Sequence, residues 1–356
     1  MCNGITRRHF LKNSLVGGIA LGAGLNLPDR ALAAQKTNIK YTTWQVPASL
    51  DFKTVFAPML EEIKKRSNGE ITYNLYAGGA LGKAPEQYDV IAKGMADMGY
   101  FVTTFTPGKF PLSDVLSLAS NINAKDISAD ISRPIYEHYL RGEYKEVKMH
   151  MLNSCISSYL WTRKPVRTLA DIKGLRIRTP GGFQTQYTRE LGAEVVFMPP
   201  GDIYMAIQTG TVDGVVTCPL LILAFRLYEV AKYGTLLTFG CVGEGVASNL
   251  NSWKNVPESH KHIIDDVSSN PYRVTGGLTK KVYDEMMNEI AGKGVTYYTL
   301  PPEEAERWYE KFRDVTRRWV TDMEGKGHPA KEAVKMYNAE CQKRGVKVVA
   351  FPTEWK

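Results

Sequence analysis

Residues 171 to 214 read DIKGLRIRTPGGFQTQYTRELGAEVVFMPPGDIYMAIQTGTVDG, and the rest of the chain is organised around them. Leu175, Ile177 and Thr179 alternate with Arg176 and Arg178, the period of two that sends successive side chains to opposite faces of a strand. Pro180-Gly181-Gly182 stops that strand. A helix is expected from about Phe183 to Leu191, closed by Gly192, a residue type that tolerates the left-handed conformation past a helix end. Val195-Val196-Phe197 reads as a short buried strand, Asp202 as the cap of a helix over residues 203–209, and Gly214-Val215-Val216 as the next strand. The unit is a βαβ repeat, which belongs to a parallel sheet covered by helices. Arg178 stands at the carboxyl end of its strand, directly before the Gly-rich loop, where open α/β sheets bind their ligands.

The flanking chain carries related patterns. Strands are expected over residues 38–44, 71–76, 98–103 and 148–153, separated by helices such as 51–67, which turns Phe52, Val55, Phe56, Leu60 and Ile63 to one face. The loop Gly78-Gly79-Ala80-Leu81-Gly82-Lys83 matches no nucleotide-binding spacing. Val246 to Leu250 reads as a strand that returns to the first lobe, followed by a long helix broken at Pro271. Trp308, Phe312, Val315 and Trp319 recur at helical spacing within a helix over 302–324, positioned to clamp two lobes. The expected division is an export signal over 1–33, lobe I over 34–156 and 247–290, lobe II over 157–246, and lobe-bridging helices with a tail over 291–356. A chain that crosses between two α/β lobes more than once suits a hinged receptor with its ligand in the cleft.

Thr6-Arg7-Arg8-His9-Phe10-Leu11-Lys12, the apolar run to Leu27 and the small-residue site Ala31-Leu32-Ala33 form a twin-arginine signal peptide, which places the mature protein in the periplasm. Cys2 precedes the apolar run and leaves with the signal. Cleavage also removes Arg7, Arg8, Lys12 and Arg30 against Asp29, lowering a formal charge of +8 that is already too dispersed to argue for nucleic acid. Cys155, Cys218, Cys241 and Cys341 remain, at irregular spacings expected of mostly free, buried thiols. No cysteine or histidine spacing suggests a metal site, and no cofactor is expected. His138, His150, His260, His262 and His328 stand beside no plausible nucleophile, which argues against an enzyme.

The ordered set Leu169-Ala170-Asp171-Ile172-Lys173-Gly174-Leu175-Arg176-Ile177-Arg178, Pro180, Gly192-Ala193, Met198-Pro199, Ile203-Tyr204, Gln208-Thr209-Gly210 and Val212-Asp213-Gly214 resembles the solute-binding subunits of tripartite ATP-independent periplasmic (TRAP) transporters, the DctP type. The resemblance extends over essentially the whole mature chain, from Gly78-Gly79 through Gly108-Lys109-Phe110-Pro111 to Trp253-Lys254-Asn255-Val256-Pro257. It implies a two-lobed periplasmic solute-binding fold of type II-like architecture, with a cleft between the lobes and long C-terminal helices bridging them. It also implies an organic acid ligand, delivery to small and large membrane permease subunits, and a monomer, a dimer being the alternative. By this resemblance Arg178 grips the ligand carboxylate, and its planar guanidinium offers two parallel donors for that role. The same mapping brings Trp44, Tyr100, Phe101, Ser158, Tyr159, Trp161, Gly182, Phe183, Thr217 and Cys218 to the cleft. The chain departs from the pattern in having no arginine in Ser157-Ser158-Tyr159-Leu160-Trp161, just before Arg163, and in carrying Thr217-Cys218-Pro219 where an asparagine is frequent. A receptor that signals to a membrane sensor would use the same cleft.

Overall fold

The computed structural model describes residues 36–355, so the expected signal over 1–33 lies outside the described residues. Among the described residues, eleven strands form two sheets. In chain order they are β1 (Thr37–Thr42), β2 (Ile71–Tyr76), β3 (Met98–Val102), β4 (Val147–Ser154), β5 (Tyr159–Thr162), β6 (Arg176–Thr179), β7 (Glu194–Phe197), β8 (Gly214–Thr217), β9 (Tyr233–Thr235), β10 (Gly243–Asn249) and β11 (Thr296–Tyr298). The first sheet runs β2-β1-β3-β10-β4 and the second β11-β9-β5-β8-β6-β7. The opening repeat forms as the sequence indicates: β6 pairs parallel with both β7 and β8. The N-terminal strands β1, β2 and β3 are likewise parallel, while β10 enters antiparallel between β3 and β4.

Strand β10 belongs to the first sheet along its whole length, so that sheet takes up the chain at Gly243 rather than at Ala247. Glu244 thereby comes to lie opposite Val102 and Asn153. Asp202 ends a short 3₁₀ turn, and its side chain makes no capping bond to the helix Ile203–Gln208. The long helix after Pro257 is divided into Glu258–Ser268, Pro271–Thr275 and Lys280–Gly292, with Asn270 and Thr279 capping the later pieces through their side chains.

Two chain segments cross between the lobes side by side. Cys155 donates its N–H to Val242 O at 2.8 Å, Ser158 to Gly240 O at 2.7 Å, and Phe239 to Ser158 O at 2.9 Å. These bonds satisfy the backbone polar groups of the crossing, which is buried and lies between the two sheets. The C-terminal helices clasp both halves. Helix Pro302–Gly325 packs on Gly182–Glu190 of the second lobe, with Trp319 5.0 Å from Phe183 and Phe312 stacked on Tyr187 at 4.3 Å between ring centroids. Helix Ala330–Gln342 packs against Ser128–Ile135 of the first lobe, and the two C-terminal helices pack on each other.

The lobes also approach closely at the start of helix Gly182–Glu190. Gly181 has φ +112°, and a Cβ there would lie 2.2 Å from the carbonyl oxygen of Thr104 in the first lobe. Backbone cannot yield at that distance, so Gly181→Ala is expected to push the lobes apart. Small-angle X-ray scattering checks this: the variant should have a larger radius of gyration than the parent protein, and an unchanged radius contradicts the contact.

Candidate functional site

The carboxyl ends of strands from both sheets converge on one cleft. Trp44 and Gln45 follow β1, Val102 and Phe105 close β3, Cys155 follows β4, Arg178 and Pro180 come from the end of β6, and Thr217 and Cys218 from the end of β8. That is the edge at which open α/β sheets form ligand sites. Leu220, Leu221, Phe225 and Val242 add apolar wall.

Arg178 is 1% exposed. Its Nε and Nη2 donate to the carbonyl oxygen of Met198, just past β7, at 3.0 and 2.9 Å. This fork aims the side chain, leaving Nη1 buried with no hydrogen-bond partner among the described residues. No carboxylate pairs with it among the described residues, and burial pushes the guanidinium down to about 9, still charged at neutral pH. Arg176, two residues earlier, is instead half-exposed and paired with Asp213.

Trp44 Nε1, Ser49 Oγ, Asp51 Oδ1 and Gln184 Oε1 are also buried, without a partner among the described residues, and on residues that line this cleft. Buried polar atoms are ordinarily satisfied, so these atoms offer partners to a polar ligand in the cleft, although others such as Tyr88 Oη and Ser132 Oγ lie elsewhere in the fold.

A second group of charges forms part of the wall. Lys125, 0% exposed, donates to Asp51 Oδ2 at 3.0 Å, Glu244 Oε1 at 2.7 Å and the Tyr272 hydroxyl at 3.2 Å. Glu244 also accepts from the hydroxyls of Tyr100 and Tyr272, both at 2.6 Å, and from Asn153 Nδ2 at 3.1 Å. Burial alone would lower Lys125, but Asp51 and Glu244 outweigh it and hold the ammonium well above the usual lysine range. Burial raises both carboxyls, yet Lys125 and the Tyr100 and Tyr272 hydroxyls keep Glu244 low while Asp51 stays raised. The cluster thus consumes its own cation.

Of the residues expected in the cleft, Arg178, Trp44, Tyr100, Ser158, Thr217 and Cys218 line it. Five do not. Phe101 points to the other face of β3, against Tyr88 and Phe110, because neighbouring strand residues face opposite ways. Tyr159 turns its hydroxyl to that of Tyr283, 2.6 Å away. Phe183 stacks on Tyr187 and packs on Trp319. Gly182 lies at the seam beside Asp114 and Thr104, outside the cleft. Trp161 is core too, its Nε1 donating to Thr217 O at 2.9 Å. Gln184, Gln45, Asp51, Lys125 and Glu244 also line the cleft, outside the set the sequence indicates. A signal existed for Gln184, since Phe183 and Tyr187 at four-residue spacing define the packed helix face and leave the next position to another surface. The four cysteines are free and buried, Cys155 and Cys218 having their sulfurs 3.9 Å apart in the cleft wall.

The family model of bacterial extracellular solute-binding proteins, family 7 (DctP), matches residues 43–322. A solute-binding protein of Albidiferax ferrireducens is 27% identical over 198 residues, which are 51% of this chain and 54% of that protein. The chain spans about half the length of that relative. A TRAP solute-binding protein of Rhodoferax ferrireducens T118, in complex with copurified benzoate, superposes with a TM-score of 0.81 at 23% identity, covering 87% of this chain and 99% of that one. A marine metagenome TRAP solute-binding protein specific for aromatic acid ligands, with 3-hydroxybenzoate, gives 0.80 at 20% identity, covering 87% and 99%. At these identities the solved structures establish the two-lobed fold.

The Lys125 cluster makes a prediction of its own. Lys125→Met leaves two buried carboxyls without their cation and should lower the unfolding free energy by about 3 to 5 kcal/mol at pH 7. A carboxyl whose folded pKa is raised costs stability above its unfolded pKa, and that cost fades as pH falls and the group takes a proton. Urea denaturation should therefore show a smaller deficit at pH 5 than at pH 7; an equal deficit contradicts the assignment.

Proposed function

Because the chain belongs to the DctP family of bacterial extracellular solute-binding proteins, whose members bind solutes rather than transform them, we propose that it captures an organic monocarboxylate in the cleft and presents it to a membrane permease. The observation that carries this reading is the buried Arg178 Nη1, a charged donor without a partner among the described residues. A carboxylate supplies the missing acceptor and the missing counter-charge together. One carboxylate suffices: the other cation in the wall, Lys125, is already neutralised by Asp51 and Glu244. Trp44, Tyr100, Phe105, Leu220, Leu221 and Phe225 favour an apolar or aromatic body for the rest of the ligand. The benzoate and 3-hydroxybenzoate bound by the two structural relatives support that choice.

In this mechanism the open lobes admit the acid, Arg178 takes its carboxylate, and closure about the paired crossing segments removes the ion pair from water. Delivery to the small and large permease subunits of a TRAP transporter, in the periplasm after twin-arginine export, completes the proposed role.

Isothermal titration calorimetry with benzoate and with succinate tests the reading. Benzoate should bind more tightly than succinate, whose second carboxylate would be buried without a cation. Arg178→Met should cost about 2 to 5 kcal/mol of benzoate affinity, well over tenfold. It should not lower the melting temperature of the ligand-free protein, since it removes an unpaired buried charge. Unchanged affinity in the variant refutes the role of Arg178.

A further inference from the structure

The polar atoms left over once a carboxylate is seated restrict the ligand further, an argument that rests on the monocarboxylate reading. A carboxylate accepts hydrogen bonds and cannot donate them, so it answers Arg178 Nη1 or Trp44 Nε1 but not an orphaned acceptor. Gln184 is such an acceptor. It is 0% exposed, lies in the first turn of helix Gly182–Glu190, and lines the same cleft as Arg178. Its orientation is fixed by bonding: Nε2 donates to Cys241 O at 2.9 Å and to Ser158 Oγ at 3.0 Å. Because Cys241 O can only accept, the amide cannot be flipped without losing that bond and setting two carbonyl oxygens against each other. Oε1 is therefore the atom left without a donor among the described residues.

Asp51 Oδ1 is also without a partner among the described residues, but its carboxylate is already engaged through Oδ2 with Lys125 and Gln45. The amide oxygen of Gln184 has no such engagement and requires a donor. A ligand with only a carboxylate and a hydrocarbon ring leaves it buried and unsatisfied, a recurrent source of strong discrimination in polar sites.

We infer that the ligand is a hydroxylated monocarboxylate, and that Gln184 is a specificity-determining residue whose Oε1 accepts from the ligand hydroxyl. Ser158 and the Cys241 carbonyl are positioning groups that keep the amide oxygen turned to the ligand.

Calorimetry on matched pairs tests this in the full mature protein: 3-hydroxybenzoate against benzoate, and mandelate against phenylacetate. At least one hydroxylated acid should bind about tenfold or more tightly than its partner, the value of one buried hydrogen bond that would otherwise go unmade. Gln184→Met, which keeps the length of the side chain and removes the acceptor, should bring that ratio near one. Equal affinities in both wild-type pairs overturn the inference while the carboxylate reading stands, and the wild-type comparison decides this even if the variant fails to fold. A ratio that survives Gln184→Met overturns the assignment to Gln184. If none of the four acids binds, the monocarboxylate reading fails and the inference falls with it.

Discussion

A guanidinium buried in a cleft, held on one side by a backbone carbonyl and lacking a counter-ion among the described residues, is the constraint on which the account depends. Taking a charge out of water costs several kcal/mol unless it is paired, and one carbonyl does not replace the lost hydration. Arg178 therefore makes the closed arrangement of the lobes costly by itself and much less so with an anion present. The fold supports that arrangement around the residue. Two crossing segments share backbone hydrogen bonds between the lobes, and the two C-terminal helices pack one on each lobe. A ligand that neutralises Arg178 then shifts a population between open and closed forms by its differential affinity for the two.

The rest of the cleft is arranged so that this cation is the one available. Lys125 could have competed for the anion, but Asp51 and Glu244 hold it, and two tyrosine hydroxyls and the Asn153 amide also donate to Glu244. That cluster ties the turn after β1, the loop before helix Ser128–Ile135 and strand β10 into one wall. Specificity then falls to neutral groups, the aromatic and aliphatic surface for the body of the ligand and the fixed Gln184 amide for its hydroxyl.

Much of this was legible in the chain, and the exceptions have a common cause. The βαβ repeat, the strand-end position of Arg178 and the amphipathic helix carrying Trp308 and Trp319 depend on patterns a few residues long, and they appear in the structure with boundaries moved by one or two positions. Lys125, Asp51 and Glu244 did not stand out, because they come from three distant parts of the chain and meet only when β10 inserts between β3 and β4. Large aromatic residues drew attention away from the cleft surface. Phe101 and Phe183 are packed into the core one position away from Tyr100 and Gln184, which face the cleft, so a single step along a strand or helix separated the right residue from the wrong one.

The most direct test is a crystal structure of the natively purified mature protein with whatever acid it carries, the ligand being identified in parallel by mass spectrometry of the extract. The account predicts a small organic acid with a carboxylate oxygen within hydrogen-bonding distance of Arg178 Nη1 and the lobes closed around it. A ligand without a carboxylate, or one whose carboxylate is held elsewhere while Arg178 Nη1 stays unpartnered, would contradict it.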